Sequence, residues 1–300
     1  MADRAQPQNI DSPIINAIHE PKTGTWQYIV ADPATKKAVI IDPVLDFDPA
    51  TSSISTTSAD NLLEIVRKEN YTVEKILETH VHADHLTASY YLKQQLDNHA
   101  EICIGARIGT VQATWAERYN IEKSEYEGVF DKLFADDETF AIGDLQAKVF
   151  HLPGHTPDHV GYTIGPNIFV GDSIFNPDIG SARCDFPGGS PTHLFASTEK
   201  LLAMPKEFRL YTGHDYPDGR EAVPFTTVAV QRETNKHVKS GTREEDFVKW
   251  RRERDGGLGE PKLLHQALQT NIRAGRLPGK NRDGLRLFCV PVKGDVVALL

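Results

Sequence analysis

Glu78-Thr79-His80-Val81-His82-Ala83-Asp84-His85 places three imidazoles and a carboxylate within six residues. The apolar stretch before it, Val73 to Thr79, reads as a short strand, and Thr87 to Leu96 after it reads as a helix. The cluster therefore falls in a strand-to-helix loop, where side chains converge. Neutral imidazole and carboxylate suit zinc, iron and manganese. Helix capping or surface placement would explain a scattered histidine, whereas a compact mixed His/Asp cluster has the spacing of a metal site.

Three more positions repeat one pattern, in which an apolar run is followed by a glycine and then a ligand type. They are Gly154-His155, Gly171-Asp172 and Gly213-His214. Glycine lets the chain turn so that the next side chain points across the strand ends. With the opening cluster this makes five histidines and two aspartates, enough for two metals. One grouping consistent with the sequence is His80, His82 and His155, with Asp84, His85 and His214 as a second set and Asp172 between them. The other seven histidines, including His151 and His159, fit surface or core roles.

Trp26 to Ala31 and Lys37 to Ile41 flank the turn Asp32-Pro33-Ala34-Thr35 and predict a hairpin. Val44 to Thr57 is polar and reads as a loop. Ser58 is the expected N-cap of a helix through Glu69. Ile102–Ile104 reads as a strand and Ile108 to Tyr119 as a helix. Phe140 to His151, Val160 to Ile164 and Ile168 to Val170 predict four strands in quick succession, hence antiparallel pairing. A helix over Thr192–Met204 and a strand over Arg209–Thr212 follow. Val223 to Val238 and Glu244 to Arg254 read as charged helices. Pro261 opens a helix over Lys262–Ala274, whose apolar residues recur at helical spacing. Leu285 to Leu300 contains two apolar runs that read as returning strands. This order implies a layered α/β fold, with two sheets and helices outside.

Composition excludes several classes. The net charge of −9 disfavours a nucleic-acid partner, which needs a basic face. No apolar run approaches the roughly 20 residues needed to cross a bilayer. Met1 to Pro13 is a polar arm without a signal-peptide core, and with Arg4 alone it does not support a mitochondrial address. Cys103, Cys184 and Cys289 form no Cys-x-x-Cys pair and no disulfide framework. They fit a reducing compartment, and the expected location is cytoplasmic.

The order Thr-His-x-His-x-Asp-His, Gly-His, Gly-Asp, Gly-His resembles the metallo-β-lactamase superfamily from about Ile15 to Asp215. The resemblance implies an αββα sandwich with the metal at one edge of the sheets. Here that would be a single domain over residues 14–300, with a C-terminal helical extension from about 223. Within the superfamily, Pro177 to Gly189, Gly213-His214-Asp215-Tyr216-Pro217 with Gly219-Arg220, Thr227 to Arg232 with Asn235, and Pro261 to Leu264 resemble the persulfide dioxygenases. That resemblance implies one Fe(II) held by His80, His155 and Asp172, with His82, Asp84, His85 and His214 orienting ligands and water. It implies oxidation of glutathione persulfide by O₂ and water to sulfite and glutathione, with no protein nucleophile.

Glutathione carries two carboxylates, and arginine pairs with carboxylate through a planar two-point hydrogen bond. Arg183 is the first candidate contact, with an ion pair to Asp178 or Asp185 as its structural alternative. Tyr216 and Arg220 are further candidates. Glyoxalase II, a thioester hydrolase with a zinc or mixed dinuclear centre, shares all seven ligand types and is the nearest rival. β-Lactamases, the nucleic-acid-processing branch and a non-enzymatic scaffold fit less well. The sequence leaves a homodimer open and gives no reason to expect a membrane partner.

Overall fold

Strands that are apolar on both faces must be covered on both sides. In the computed structural model, which describes residues 12–294, the first sheet holds such strands at its centre. Numbered along the chain, it contains β1 (Ile14–Glu20), β2 (Thr25–Ala31), β3 (Lys37–Ile41), β6 (Thr72–Leu77), β8 (Glu101–Gly105) and β9 (Lys132–Phe134), in that spatial order. The second sheet runs in chain order through β10 (Thr139–Ile142), β11 (Leu145–His151), β12 (Val160–Ile164), β13 (Asn167–Gly171), β14 (Arg209–Thr212) and β15 (Phe225–Thr227). A small sheet joins β5 (Ser53–Ser55), β4 (Val44–Asp48) and β7 (Leu86–Thr87). The helices are α1 (Thr57–Lys68), α2 (Ser89–Gln95), α3 (Ile108–Tyr119), α4 (Lys123–Tyr126), α5 (Pro191–Leu202), α6 (Val228–Thr234), α7 (Glu244–Asp255) and α8 (Leu264–Asn271).

The period-two rule sorts the side chains. Tyr28, Val30, Val39 and Ile41 face the second sheet and pack with Val149, Tyr162 and Phe169. Their neighbours Ile29, Ala31, Ala38 and Ile40 face outward onto Leu62, Leu63 and Val66 of α1. Each buried Val, Ile or Leu among these contributes about 1.5–3 kcal/mol. On the far side, Ile168, Val170 and Leu210 pack with Leu194 and Leu201 of α5, Val228 of α6 and Phe247 of α7. The layers are helix, sheet, sheet, helix, the sandwich expected from the resemblance.

Strand direction places the site. β3 and β6 are parallel, as are β13 and β14, and β11 runs with β13 because both are antiparallel to β12. The ends of these five strands meet at one edge. The amide of Val160 donates to Thr79 O (2.8 Å) and that of Trp26 to Gly213 O (2.8 Å), stitching the sheets together there.

Several expectations are corrected. Val44 to Thr57 is mostly a hairpin, β4–β5, turned at Asp48, whose Oδ1 accepts from Ala50 N (2.9 Å). All three residues of β5 are exposed, and a lone isoleucine between two serines sets no apolar pattern. The helix after it begins at Thr57, and Ser58 uses its amide and hydroxyl on Asp46 (both 2.8 Å) instead of capping. Thr87 pairs with Val44, so α2 starts at Ser89. Val223 to Val238 is not one helix. Phe225–Thr227 completes the second sheet, and Thr227 then caps α6 by accepting from Val230 N (3.3 Å). Pro261 precedes α8 by three residues. Leu285 onward forms no strand among the described residues. Its backbone is held by a side chain, Gln269, through both polar groups of Cys289 (2.9 and 3.0 Å). Most of the polar arm and residues 295–300 lie outside the described residues.

Candidate metal centre

Asp42 follows β3 with a left-handed φ of 49° and sits at the sheet edge. There it accepts from the Thr79 amide (2.7 Å) and the Thr79 hydroxyl (2.8 Å). With its proton committed to Asp42, the Thr79 oxygen accepts from His80 Nδ1 (3.0 Å). That fixes the tautomer and leaves Nε2 of His80 with a free lone pair. Asp42 also lies 3.1 Å from Nε2 of His82, leaving Nδ1 of that ring free. A histidine ligand held by a carboxylate on its other nitrogen is the usual outer arrangement of a metal site.

His155 follows β11 and donates from Nδ1 to Arg183 O (2.7 Å), so its Nε2 is the free nitrogen. Asp172 follows Gly171, whose φ of 47° and tight packing on Thr79 admit no side chain. Gly213 is required for room: a Cβ there would lie 2.5 Å from Asp172 Oδ1. The buried His159 accepts from the Asp172 amide (2.9 Å) and stacks on His80 at 4.8 Å. Its role is in the core, as expected, but against two candidate ligands.

Three groups of donor atoms result among the described residues, each with all atoms within 4.8 Å of one another; one of them, Asp42, Glu78 and His82, is the carboxylate support of the His82 ring, and the other two are drawn from the predicted ligands. One is His80, His155 and Asp172; the other is His82, Asp84, His85 and His214. By donor distance His82 groups with Asp84, His85 and His214, whereas sequence order sets it with His80 and His155. Asp172 lies between the sets, Oδ2 3.7 Å from His155 Nε2 and Oδ1 3.5 Å from His214 Nε2. Thr25 hydroxyl lies 3.3 Å from His214 Nδ1 and 3.5 Å from His85 Nδ1, steadying the second set.

The donors fit a cation. Nε2 of His80, His85 and His214, Nδ1 of His82 and Oδ1 of Asp172 are buried without a hydrogen-bond partner. Leaving buried polar atoms unpaired is costly, and several gathered at one edge of the sheets in two donor sets fit bound metal. Burial, reinforced by the neighbouring imidazoles, holds the His80 pKa well below the ordinary value, which keeps it neutral for ligation. Burial opposes charge on His82 as well, but Asp42 and Glu78 outweigh it and raise its pKa well above the ordinary value. His214 is raised likewise, against burial, by Asp172 and Asp84.

His155, Asp172, Asp84 and His214 open onto a cleft of about 1010 Å³. Arg183 lines it, with its guanidinium held by Asp185 (2.6 and 2.5 Å) and Gly259 O (2.9 Å). Its structural alternative, the Asp185 ion pair, is therefore present. Arg220 does not line the cleft: it is gripped by Asp178 (3.0 and 2.9 Å) and Asp215 (2.6 and 2.7 Å). Tyr216 does line it, half exposed and stacked parallel to His214 at 5.7 Å. Sequence reasoning missed Lys22, Lys236, Arg254 and Lys262, which also line the cleft and have no carboxylate within ion-pair distance among the described residues. It missed Asp42 too, whose only sequence signal is an Asp-Pro closing a strand.

A sandwich with this donor set along one edge defines a class, and a model of the metallo-beta-lactamase superfamily matches residues 21–214. The chain belongs to that superfamily. It is 45% identical over 287 residues to the beta-lactamase hydrolase-like protein of Agrobacterium fabrum (strain C58), covering 95% of this chain but only 66% of that relative's length. Glyoxylase B2 of Dictyostelium discoideum is 43% identical over 282 residues, 93% of this chain and 96% of that protein. The human mitochondrial persulfide dioxygenase ETHE1 is 26% identical over 265 residues, 87% and 89%. Among solved structures, ETHE1 from Myxococcus xanthus matches with a TM-score of 0.71 at 28% identity, covering 88% of this chain and all of that one. No helix among the described residues is long and apolar enough to cross a membrane.

Proposed function

We propose that this chain is a persulfide dioxygenase, oxidising a persulfide carried by a small anionic thiol, glutathione first, with O₂ and water to sulfite and the free thiol. The observation that carries the reading is the convergence of two imidazoles and one carboxylate, His80, His155 and Asp172, beside an open cleft. Two histidines and one carboxylate with open positions suit non-haem Fe(II). Iron bound there would supply the redox step between the persulfide sulfur and O₂.

The chain's own groups do the rest. Asp42, Thr79 and the Arg183 carbonyl fix the ligand tautomers. His82, Asp84, His85 and His214 orient ligands and water. Phe186 packs edge-on against His155 at 5.2 Å and limits water on that side. Lys22, Lys236, Arg254 and Lys262 attract the substrate's carboxylates, Tyr216 offers a hydroxyl, and Arg183 retains two N–H groups beyond those held by Asp185 and Gly259. Arg220, held by Asp178 and Asp215, braces the loop after His214 and does not meet the substrate. The sparse cysteines support a cytoplasmic setting.

The test is O₂ uptake with glutathione persulfide, beside metal quantitation on the same sample. One iron per chain and sulfite formation are expected. Two metals with hydrolysis of a glutathione thioester and no O₂ uptake would replace this reading with a glyoxalase II-type hydrolase. The four-donor second set and the likeness to Glyoxylase B2 favour that alternative.

A further inference from the structure

Three backbone positions around Arg183 are held by one helix outside the superfamily-matched segment. Arg251 Nη1 donates to Ser181 O (3.3 Å) and Ala182 O (3.1 Å). Asp255 accepts from Cys184 N (2.8 Å). The two side chains, one turn apart on α7, form an ion pair with each other. Both are buried, although most of the other α7 side chains are not. Residues 181, 182 and 184 are thus fixed, while the carbonyl of Arg183 between them turns away to His155 Nδ1. A carbonyl in a loop is otherwise free to rotate, and its direction sets the ring that donates to it.

We infer that the Arg251–Asp255 pair is a positioning device for the metal centre: it aims the Arg183 carbonyl, and through it the ligating nitrogen of His155. This rests on the reading of His155 as a ligand. Partners behind a metal-binding histidine typically change metal affinity 10- to 100-fold when removed. A buried ion pair replaced as a unit by apolar residues of similar volume often leaves stability unchanged. Arg251→Met/Asp255→Leu therefore removes the pair without leaving a lone buried charge.

The full-length protein, stripped of metal, is titrated with Co(II) and followed by its visible absorption, with thermal unfolding of the apo protein alongside. The double variant leaves three backbone groups without partners, so it is expected to unfold below the native temperature while remaining folded at that of the titration, and to bind Co(II) about 10-fold more weakly or worse. The effect is expected to vanish when His155→Ala is already present. Native Co(II) affinity in the double variant overturns the inference. So does an undiminished effect in the His155→Ala background. If the double variant does not fold, Arg251→Lys keeps the charge but loses the two-nitrogen guanidinium that joins the Ser181 and Ala182 carbonyls, through Nη1, to Asp255, through Nη2, and weaker Co(II) binding is again expected. Native affinity in folded Arg251→Lys also overturns the inference. Should His155→Ala alone bind Co(II) normally, the ligand assignment itself fails, which is a different result.

Discussion

Asp42 holds His82 by a hydrogen bond of 3.1 Å between Oδ1 and Nε2, with both side chains almost fully buried. The same carboxylate fixes Thr79 and thereby His80. One residue thus governs the free nitrogen of a histidine in each donor set. Asp42→Ala is expected to lower metal affinity by about 10–100-fold, and Asp42→Asn by less. Equilibrium metal titration checks this; equal affinities across the three proteins would refute it.

Asp172 turns one oxygen toward a histidine of each donor set. Asp172→Ala should abolish metal retention and O₂ uptake together, as read by elemental analysis and an oxygen electrode. Retention of both would overturn its role as a ligand.

The unpaired cleft cations should act on binding alone. Exposed charges contribute about 0.2–1 kcal/mol each, so neutralising Lys236, Arg254 or Lys262 singly should raise KM for glutathione persulfide about two- to fivefold. The effect should shrink with added salt, and kcat should hold. A fall in kcat at constant KM would place these residues elsewhere in the mechanism.

His237 lies beside this cluster and accepts from Ser181 N (3.0 Å). Burial, with Lys236, Arg251 and Arg254 nearby, lowers its pKa to about 3. The unfolded chain therefore binds this proton first, so the residue's full contribution to stability is present above about pH 6.5. That contribution is lost as pH falls toward 3. His237→Gln should lose less melting temperature than native protein between pH 7 and pH 5. Equal losses would mean that His237 charges normally in the fold.

The three cysteines should separate chemically. Burial raises the Cys103 thiol to about 12 and raises Cys184 as well, while Cys289 is exposed. A thiolate-specific reagent should modify one cysteine rapidly in native protein and three after denaturation. Fast modification of Cys184 would show that the 181–184 segment opens readily.

The metal motifs were legible because ligand chemistry is carried by side-chain type, and each motif sits where an apolar run stops. The central strands were legible for the same reason, being apolar on both faces. Ser53–Ser55 was not, since an exposed three-residue strand has no pattern to read. Phe225–Thr227 was hidden by continuity with the helix that it caps. Asp42 reaches residues 37 and 40 positions away, which no local pattern encodes. Arg220 looked free because its partners, Asp178 and Asp215, meet it only in three dimensions. The cleft cations come from segments that the ligand motifs do not touch.

Asn271, at the end of α8, donates to the carbonyls of both His82 and His85 (2.8 Å each) and accepts from Thr87 N (2.9 Å). A single amide side chain near the C-terminus thereby closes the loop that opens the sequence motif. The histidine motif and α8 must consequently travel together: a chimera that borrows one from a relative without the other would inherit a loop with two unanswered carbonyls.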